Sequence, residues 1–211
     1  MKALLLAAVF CSFLPLPGQT PAPAAAPAAA ASAQEAPAAK PRVQIDTSYG
    51  PIVVELEPAL APQTVANFLR YVKEGHYAGT IFHRVMKGFM IQGGGMLPDL
   101  TEKPVHASIP NEAAETFAAG LRNTRGTIAM ARTDDPNSAS AQFFINTVDN
   151  VALDHHDLSP SGYGYCAFGR VVSGMEAVDK IEKVNVIMKR GNQNVPEYPV
   201  RIKSAEIVPA P

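Results

Sequence analysis

The chain has 211 residues, with 18 Lys and Arg against 19 Asp and Glu, which gives a formal net charge of -1. A chain without a basic excess lacks the electrostatic footprint of a nucleic-acid-binding protein. Two cysteines occur, and because Cys11 falls in an N-terminal apolar segment, a disulfide framework within the mature chain is excluded.

The first 41 residues are predicted to precede the folded domain. Lys2 is followed by an apolar run that continues to Leu16, as in a secretory signal peptide, which we assign to residues 1–20 with the cleavage site left open. Residues 21–41 are almost wholly Ala and Pro, which favours an extended, disordered linker. Residues 42–208 are then expected to form a single domain.

The domain begins with an alternating pattern that predicts a hairpin over residues 42–47 and 52–56. Pro62 suits a first helical position, and apolar residues at helical spacing predict a helix over residues 62–74 that ends before Gly75. Short apolar runs separated by Gly, Pro, Asn and Asp then predict strands near residues 81–86, 89–92, 127–131, 142–146 and 165–171.

The last part of the chain predicts one more helix and one more strand. The helix starts near Ser173, with Glu176 three positions later as a potential capping box, and the strand covers residues 200–207. Residues 96–126 have weak periodicity and are expected to form loops. Many short strands with two helices favour an antiparallel barrel or sandwich.

Two strands offer a polar group beside an aromatic ring. Because residues two apart share one face of a strand, Phe82 is expected to point with Arg84, and Gln142 with Phe144. These faces would suit a pocket for a neutral, apolar substrate. The alternative is that Arg84 is a solvated residue on the outer face and that the aromatic residues form the core.

Five sequence motifs make the chain resemble the cyclophilin family. Residues 82–94 read FHRVMKGFMIQGG, and they are followed by GTIAMA at 126–131, SAQFFI at 140–145, FGRVVSGM at 168–175 and NVP at 194–196. The resemblance covers nearly all of residues 42–208 and is greatest to the exported bacterial cyclophilins. It implies a mainly β fold, a closed eight-stranded antiparallel barrel capped by two helices, and peptidyl-prolyl cis-trans isomerase activity without a cofactor or metal.

The resemblance also assigns roles to individual residues. The catalytic positions match Arg84, Phe89 and Gln92. The substrate-binding positions, which line a proline pocket and a groove for the residues before proline, match His83, Met90, Ala131, Arg132, Gln142, Phe144, Leu153 and Tyr165. His83 is interpreted as a support for its neighbours, since the reaction abstracts no proton.

One departure from the family pattern concerns a drug. Many cyclophilins have Trp immediately before the residue that matches Leu153, where this chain has Ala152, and the chain contains no Trp. That Trp helps to bind cyclosporin in sensitive members. We therefore expect weak cyclosporin binding with isomerase activity retained.

Other chemistries are less well supported. Residues 154–157, DHHD, contain potential metal ligands, but adjacent histidines do not readily converge on one ion. Ser138 and Ser140 lie outside a nucleophile motif, and Cys166, in an apolar run, is interpreted as a packed thiol. The main alternative to an enzyme is a chaperone module that binds proline-containing peptides with little catalysis.

The N-terminal segment predicts the cellular setting. An exported isomerase is expected in the bacterial periplasm, with an extracellular or membrane-tethered location as alternatives. Its partners would be proline-containing peptides and unfolded exported proteins, and we expect it to act as a monomer.

Overall fold

The computed structural model describes residues 40–209. The expected signal peptide and the expected linker up to residue 39 lie outside the described residues. Contacts with the barrel extend to the last two linker positions, since Pro41 O accepts a hydrogen bond of 2.9 Å from Leu56 N, and Lys40 Nζ lies 2.7 Å from Glu57 Oε1. Within the described part of the chain, no helix is both long and apolar enough to cross a membrane.

Eight strands form a closed antiparallel barrel, as the sequence resemblance implied. Residues 40–209 contain ten strands, of which all except the eighth and ninth belong to the barrel. In chain order they are β1 (Arg42–Thr47), β2 (Gly50–Leu56), β3 (Ile81–Met86), β4 (Met90–Met96), β5 (Thr127–Met130), β6 (Phe143–Asn146), β7 (Ala167–Ser173), β8 (Val186–Lys189), β9 (Asn192–Pro196) and β10 (Val200–Val208). Around the barrel the order is β1-β10-β3-β4-β6-β5-β7-β2, and β8 pairs with β9 as a separate hairpin. Closure leaves no barrel strand with an unpaired edge.

Apolar side chains pack on both sides of one part of the barrel. The larger cluster fills the interior, with Phe68, Phe82, Phe143 and Phe168 among its fully buried residues. A second, smaller cluster covers the outer face of β4, β5, β6 and β7 and includes Phe144. All four residues of β5 and of β6 are therefore buried.

Three α-helices lie within residues 40–209, one more than expected. Helix α1 (Pro62–Lys73) matches the prediction, and its N-terminal amides of Gln63 and Thr64 donate to the buried Glu112 carboxylate at 3.0 and 2.8 Å. Helix α2 (Ala113–Ala118) was missed because six residues are too few to show helical periodicity. It lies in the segment for which only loops were expected.

Helix α3 (Met175–Glu182) is correctly placed, but its predicted capping box is wrong. The residue before the helix is Gly174, in the left-handed region at φ 88°, and no side chain caps the helix. The backbone here runs too close to β2 for a side chain, since a Cβ on Gly174 would collide with Pro51 O.

Local irregularity also changes the direction of one key side chain. Phe82 pairs with Gly93 and Arg84 with Gln92, so β3 has one extra residue, His83, at a β-bulge. Phe82 consequently points into the core, with no exposed surface, while Arg84 lines an outer pocket. The prediction that these two side chains share a face is wrong, because the bulge shifts the alternation by one residue.

Candidate functional site

A groove on the outer side of β3, β4 and β6 brings together all of the residues that the sequence resemblance assigned to catalysis or substrate binding. It consists of an apolar pocket of about 190 Å³ and a more open polar pocket of about 530 Å³. Arg84, Gln92, Ala131 and Arg132 line both. The apolar pocket adds Phe89, Met90, Phe144, Leu153 and Tyr165, and the polar pocket adds His83 and Gln142.

The apolar pocket has a buried floor and half-buried sides. Met90 and Phe144 form the floor and are only 2% and 4% exposed, because they also belong to the outer apolar cluster. Phe144 meets Tyr165 edge to face, with ring centroids 5.7 Å apart. Phe89 and Leu153 are half-buried at the sides. The shape suits a small apolar ring.

A chain of side-chain hydrogen bonds holds the polar groups between the two pockets. Arg84 Nη1 donates to Gln92 Oε1 at 3.3 Å, and Gln92 Nε2 donates to Gln142 Oε1 at 3.0 Å. Within residues 40–209 the Arg84 guanidinium makes no other hydrogen bond or salt bridge. Its remaining N–H groups are therefore available to a bound ligand.

Glycine at position 95 lets this chain of amides form. The Gln142 side chain lies directly over Gly95, and a Cβ there would collide with it. The glycine run of β4 therefore allows the side chain on the neighbouring segment to approach the backbone closely.

The buried His83 imidazole is neutral near pH 7. Burial, together with the smaller effect of the neighbouring Arg84 charge, lowers the pKa of His83 to about 4. Among the described residues, Nδ1 has no hydrogen-bond partner. The neutral His83 ring therefore adds no second positive charge beside the Arg84 guanidinium.

Arg132 lies at the boundary between the pockets, with its side chain already engaged. The guanidinium donates to the backbone carbonyls of Gly164, Thr133 and Pro160 at 3.0, 2.8 and 2.9 Å. It also stacks 4.5 Å from the centre of the Tyr165 ring. Its side chain thus fixes the loop behind the apolar pocket, while its backbone remains on the groove.

The polar pocket includes residues that the sequence analysis did not assign to a binding site. They are Met96, Glu102, Thr133, Ser138, Ser140 and residues 191–194. Most come from loops or from the turn and strand β9 of the unpredicted β8–β9 hairpin. The hairpin strands lack a clear apolar alternation, and several of their side chains are exposed, so only a comparison with similar chains could have suggested their position.

The alternative sites do not assemble in the described residues. Asp154 accepts a hydrogen bond from Asn123 N, and His155 Nδ1 lies 2.9 Å from Tyr163 O, so these two side chains face different partners. Residues 40–209 contain no cluster of three or more His, Cys, Asp or Glu side chains that could hold a metal ion. Cys166 is buried, which raises the pKa of its thiol to about 12 and confirms a packed thiol.

Comparisons with known proteins agree with the fold and identify the family. Residues 42–207 match the family model of the cyclophilin type peptidyl-prolyl cis-trans isomerases. A peptidyl-prolyl cis-trans isomerase of Streptomyces antibioticus is 55% identical over 166 residues, which cover 79% of this chain and 98% of that protein. Peptidyl-prolyl cis-trans isomerase B of Escherichia coli K12 is 50% identical over 165 residues, with 78% and 98% covered.

A solved structure has the same fold. The crystal structure of a cyclophilin type isomerase from Cryptosporidium parvum, obtained in the presence of the dipeptide Ala-Pro, superposes with a TM-score of 0.67 at 28% identity. The match covers 80% of this chain and 99% of that one.

Proposed function

The chain belongs to the cyclophilin family of peptidyl-prolyl cis-trans isomerases and has that activity, and we propose that it speeds Xaa-Pro isomerisation in exported proteins as they fold. Rotation about this bond has a barrier of about 18–20 kcal/mol and takes tens to hundreds of seconds unaided. The observation that carries the mechanism is the guanidinium of Arg84, which has free donors at the mouth of an apolar pocket.

Arg84 is assigned the electrostatic role. As the C–N bond twists, conjugation is lost and the lone pair of the proline nitrogen becomes localised. A guanidinium N–H directed at this nitrogen, or at the prolyl carbonyl, stabilises the twisted amide more than either planar form. Gln92 holds Arg84 in place, and no bond is made or broken.

The two pockets are assigned the two parts of the substrate. The apolar pocket holds the proline ring, with Phe89, Met90, Phe144, Leu153 and Tyr165 around it. The backbone of the preceding residues lies along Ala131, Arg132 and Gln142 in the polar pocket. The apolar pocket holds the ring still while the Xaa-Pro bond twists, with His83 as a neutral support.

An exchange experiment separates an isomerase from a chaperone module that only binds. NMR exchange spectroscopy on a short Ala-Pro peptide should show faster cis-trans exchange with the wild type than without protein. The Arg84→Ala variant should lose about 100-fold or more in kcat/KM, the range for removal of an electrostatic donor. Arg84→Lys, which retains a charge without the planar fork, is the control. Binding by the wild type without faster exchange would support the chaperone.

The exported setting is supported by the basic and apolar start of the sequence. We propose that the signal is removed and that the mature protein is a periplasmic monomer, rather than an extracellular or membrane-tethered one. Fractionation of cells that express the full chain, N-terminal sequencing and sedimentation test these points. An uncleaved protein in the membrane fraction would contradict the proposal.

Weak cyclosporin binding is proposed from Ala152, whose small side chain is exposed and does not line the apolar pocket. An inhibition titration should show poor inhibition of the wild type. Ala152→Trp should bind the drug more tightly while retaining its activity on peptides. Tight inhibition of the wild type would contradict the proposal.

A further inference from the structure

Three buried asparagines lie directly behind the apolar pocket. Asn146 ends β6, has no exposed surface and pairs through its backbone with Met90 of the pocket floor. Asn123 lies shortly before β5, and Asn150 lies just before the turn of 3₁₀-helix at Val151–Leu153. They are 2% and 8% exposed, respectively. None lines the groove itself.

Asn123 and Asn150, the outer two asparagines of the three, hold the backbone of three pocket-wall residues. Asn150 Nδ2 donates to Phe89 O at 2.8 Å. Asn123 Nδ2 donates to Leu153 O and to Tyr165 O, both at 3.1 Å. The Phe89 part of the pocket wall is thus attached to Asn150, and the part formed by Leu153 and Tyr165 to Asn123.

Asn146 joins the two outer amides. Asn150 Nδ2 donates to Asn146 Oδ1 at 2.7 Å, and Asn146 Nδ2 donates to Asn123 Oδ1 at 3.2 Å and to Thr127 Oγ1 at 2.9 Å. No side-chain atom of these asparagines is buried without a partner. A fully satisfied buried network of this kind is rigid, since each lost bond leaves a desolvated polar group unpaired.

Asp154 fixes one end of the network. Its Oδ1 accepts from Asn123 N at 2.7 Å and lies 3.2 Å from Asn123 Nδ2. Asp154 is buried and directly follows the wall residue Leu153. The carboxylate therefore orients the Asn123 amide towards the wall carbonyls.

We propose that Asn123, Asn146 and Asn150 form a positioning network that sets the separation of the pocket walls and so holds the proline ring still while the amide twists. The proposal rests on isomerase activity at the groove. It assigns these residues no contact with substrate. Their effect passes through Phe89, Leu153 and Tyr165.

Loss of the network should destabilise the twisted amide more than it weakens binding of the planar peptide. A loosened pocket still accepts proline, but the ring can turn with the rest of the peptide, and the alignment with Arg84 is lost. A misplacement of about 1 Å can reduce a rate by about 100-fold. We expect Asn146→Ala to lower kcat by about tenfold, with a change in KM below about threefold.

The test measures kcat and KM by NMR exchange at saturating and subsaturating Ala-Pro peptide, alongside the melting temperature. The matched control is Thr47→Ala, on β1, which lies across the barrel from β6. This change removes a buried hydroxyl that donates to Gly50 O and accepts from Tyr49 N. The control should lower stability and leave kcat unchanged. If Asn146→Ala retains wild-type kcat and KM at a temperature where it is folded, the proposal is overturned.

A double-mutant cycle tests whether the asparagines act as one unit. Asn123→Ala and Asn150→Ala should each reduce kcat, and the double variant should be little worse than the poorer single variant. Independent, additive effects would contradict a connected network. If Asn146→Ala does not fold, Asn150→Ser at the edge of the network is measured instead, with the same expected loss of kcat. An inactive wild type would overturn the activity, whereas an active wild type with unaffected variants would overturn this proposal alone.

Discussion

The two pockets of the groove are built in different ways. The apolar pocket rests on β4, β5 and β6, whose residues are buried on both faces of the barrel wall. The polar pocket is bordered largely by loops and by the β8–β9 hairpin, and Glu102 and Thr133 on its rim are exposed. A rigid pocket suits a substrate part that never varies, the proline ring, while an open rim of loops can vary with the preceding sequence.

The difference predicts that damage to the apolar pocket affects every substrate. Phe144→Ala removes the floor and its contact with Tyr165, and should cost about 3 kcal/mol in the free energy of unfolding. At least about a tenfold loss of kcat/KM should accompany it for all Xaa-Pro peptides, since each 1.4 kcal/mol of lost transition-state stabilisation is tenfold. Denaturant unfolding and exchange assays measure both. Phe144→Leu, which retains apolar volume, should restore most of the stability.

Acid should weaken the fold before it affects the chemistry of the groove. The pKa of His83 is about 4 in the folded protein, against 6.5 when unperturbed. Above pH 6.5 both folded and unfolded states are neutral at this residue. As the pH falls from 6.5 towards 4, the unfolded state takes up the proton first, so stability decreases by about 2–3 kcal/mol.

Urea unfolding at pH 7 and pH 4.5 tests this prediction. His83→Gln should show a smaller decrease over the same range than the wild type. The kcat/KM of the folded wild type should change little, because no step transfers a proton. An equal decrease for both proteins would show that other groups dominate.

Substitution of Arg132 tests whether the two pockets depend on the side chain that lies between them. Arg132→Ala releases the three carbonyls of Thr133, Pro160 and Gly164 and the stacking on Tyr165. We expect a several-fold loss of kcat/KM, on the order of fivefold, because both pockets lose a common support. Arg132→Lys retains the charge but lacks the fork, so it should recover little of the loss. Full recovery would mean that charge alone matters.

The smallest effect is expected at the rim of the polar pocket. Glu102 is an exposed carboxylate there and should favour peptides with Lys before the proline over peptides with Glu. Glu102→Gln should reduce that preference by about two- to threefold and leave neutral peptides unchanged, since exposed charges interact weakly. Raising the salt concentration should have a similar effect on the wild type. A change for neutral peptides would contradict a purely electrostatic role.

The sequence predicted the strands and the long helix well because their periodic patterns are local. It failed for β8, β9 and α2, which are short and lack a clear period, and for the cap of α3, where close approach to β2 requires Gly174. It also placed Phe82 and Arg84 on one face, since a single-residue bulge leaves no mark in the pattern of a strand. Strand alternation had suggested Arg84, Gln142 and Phe144 as pocket residues, and the resemblance to a family supplied the other groove residues that were named in advance.

Short segments of the sequence were enough to indicate the family, the antiparallel barrel and one cation among aromatic residues, because motifs and alternation are local properties. Only the folded chain shows that Arg84 turns outward at a bulge, that Glu112 caps α1, and that Asn123 meets Asn146 and Asn150 behind the pocket. These contacts depend on the fold because buried polar groups need hydrogen-bond partners, and most of those partners lie far along the chain.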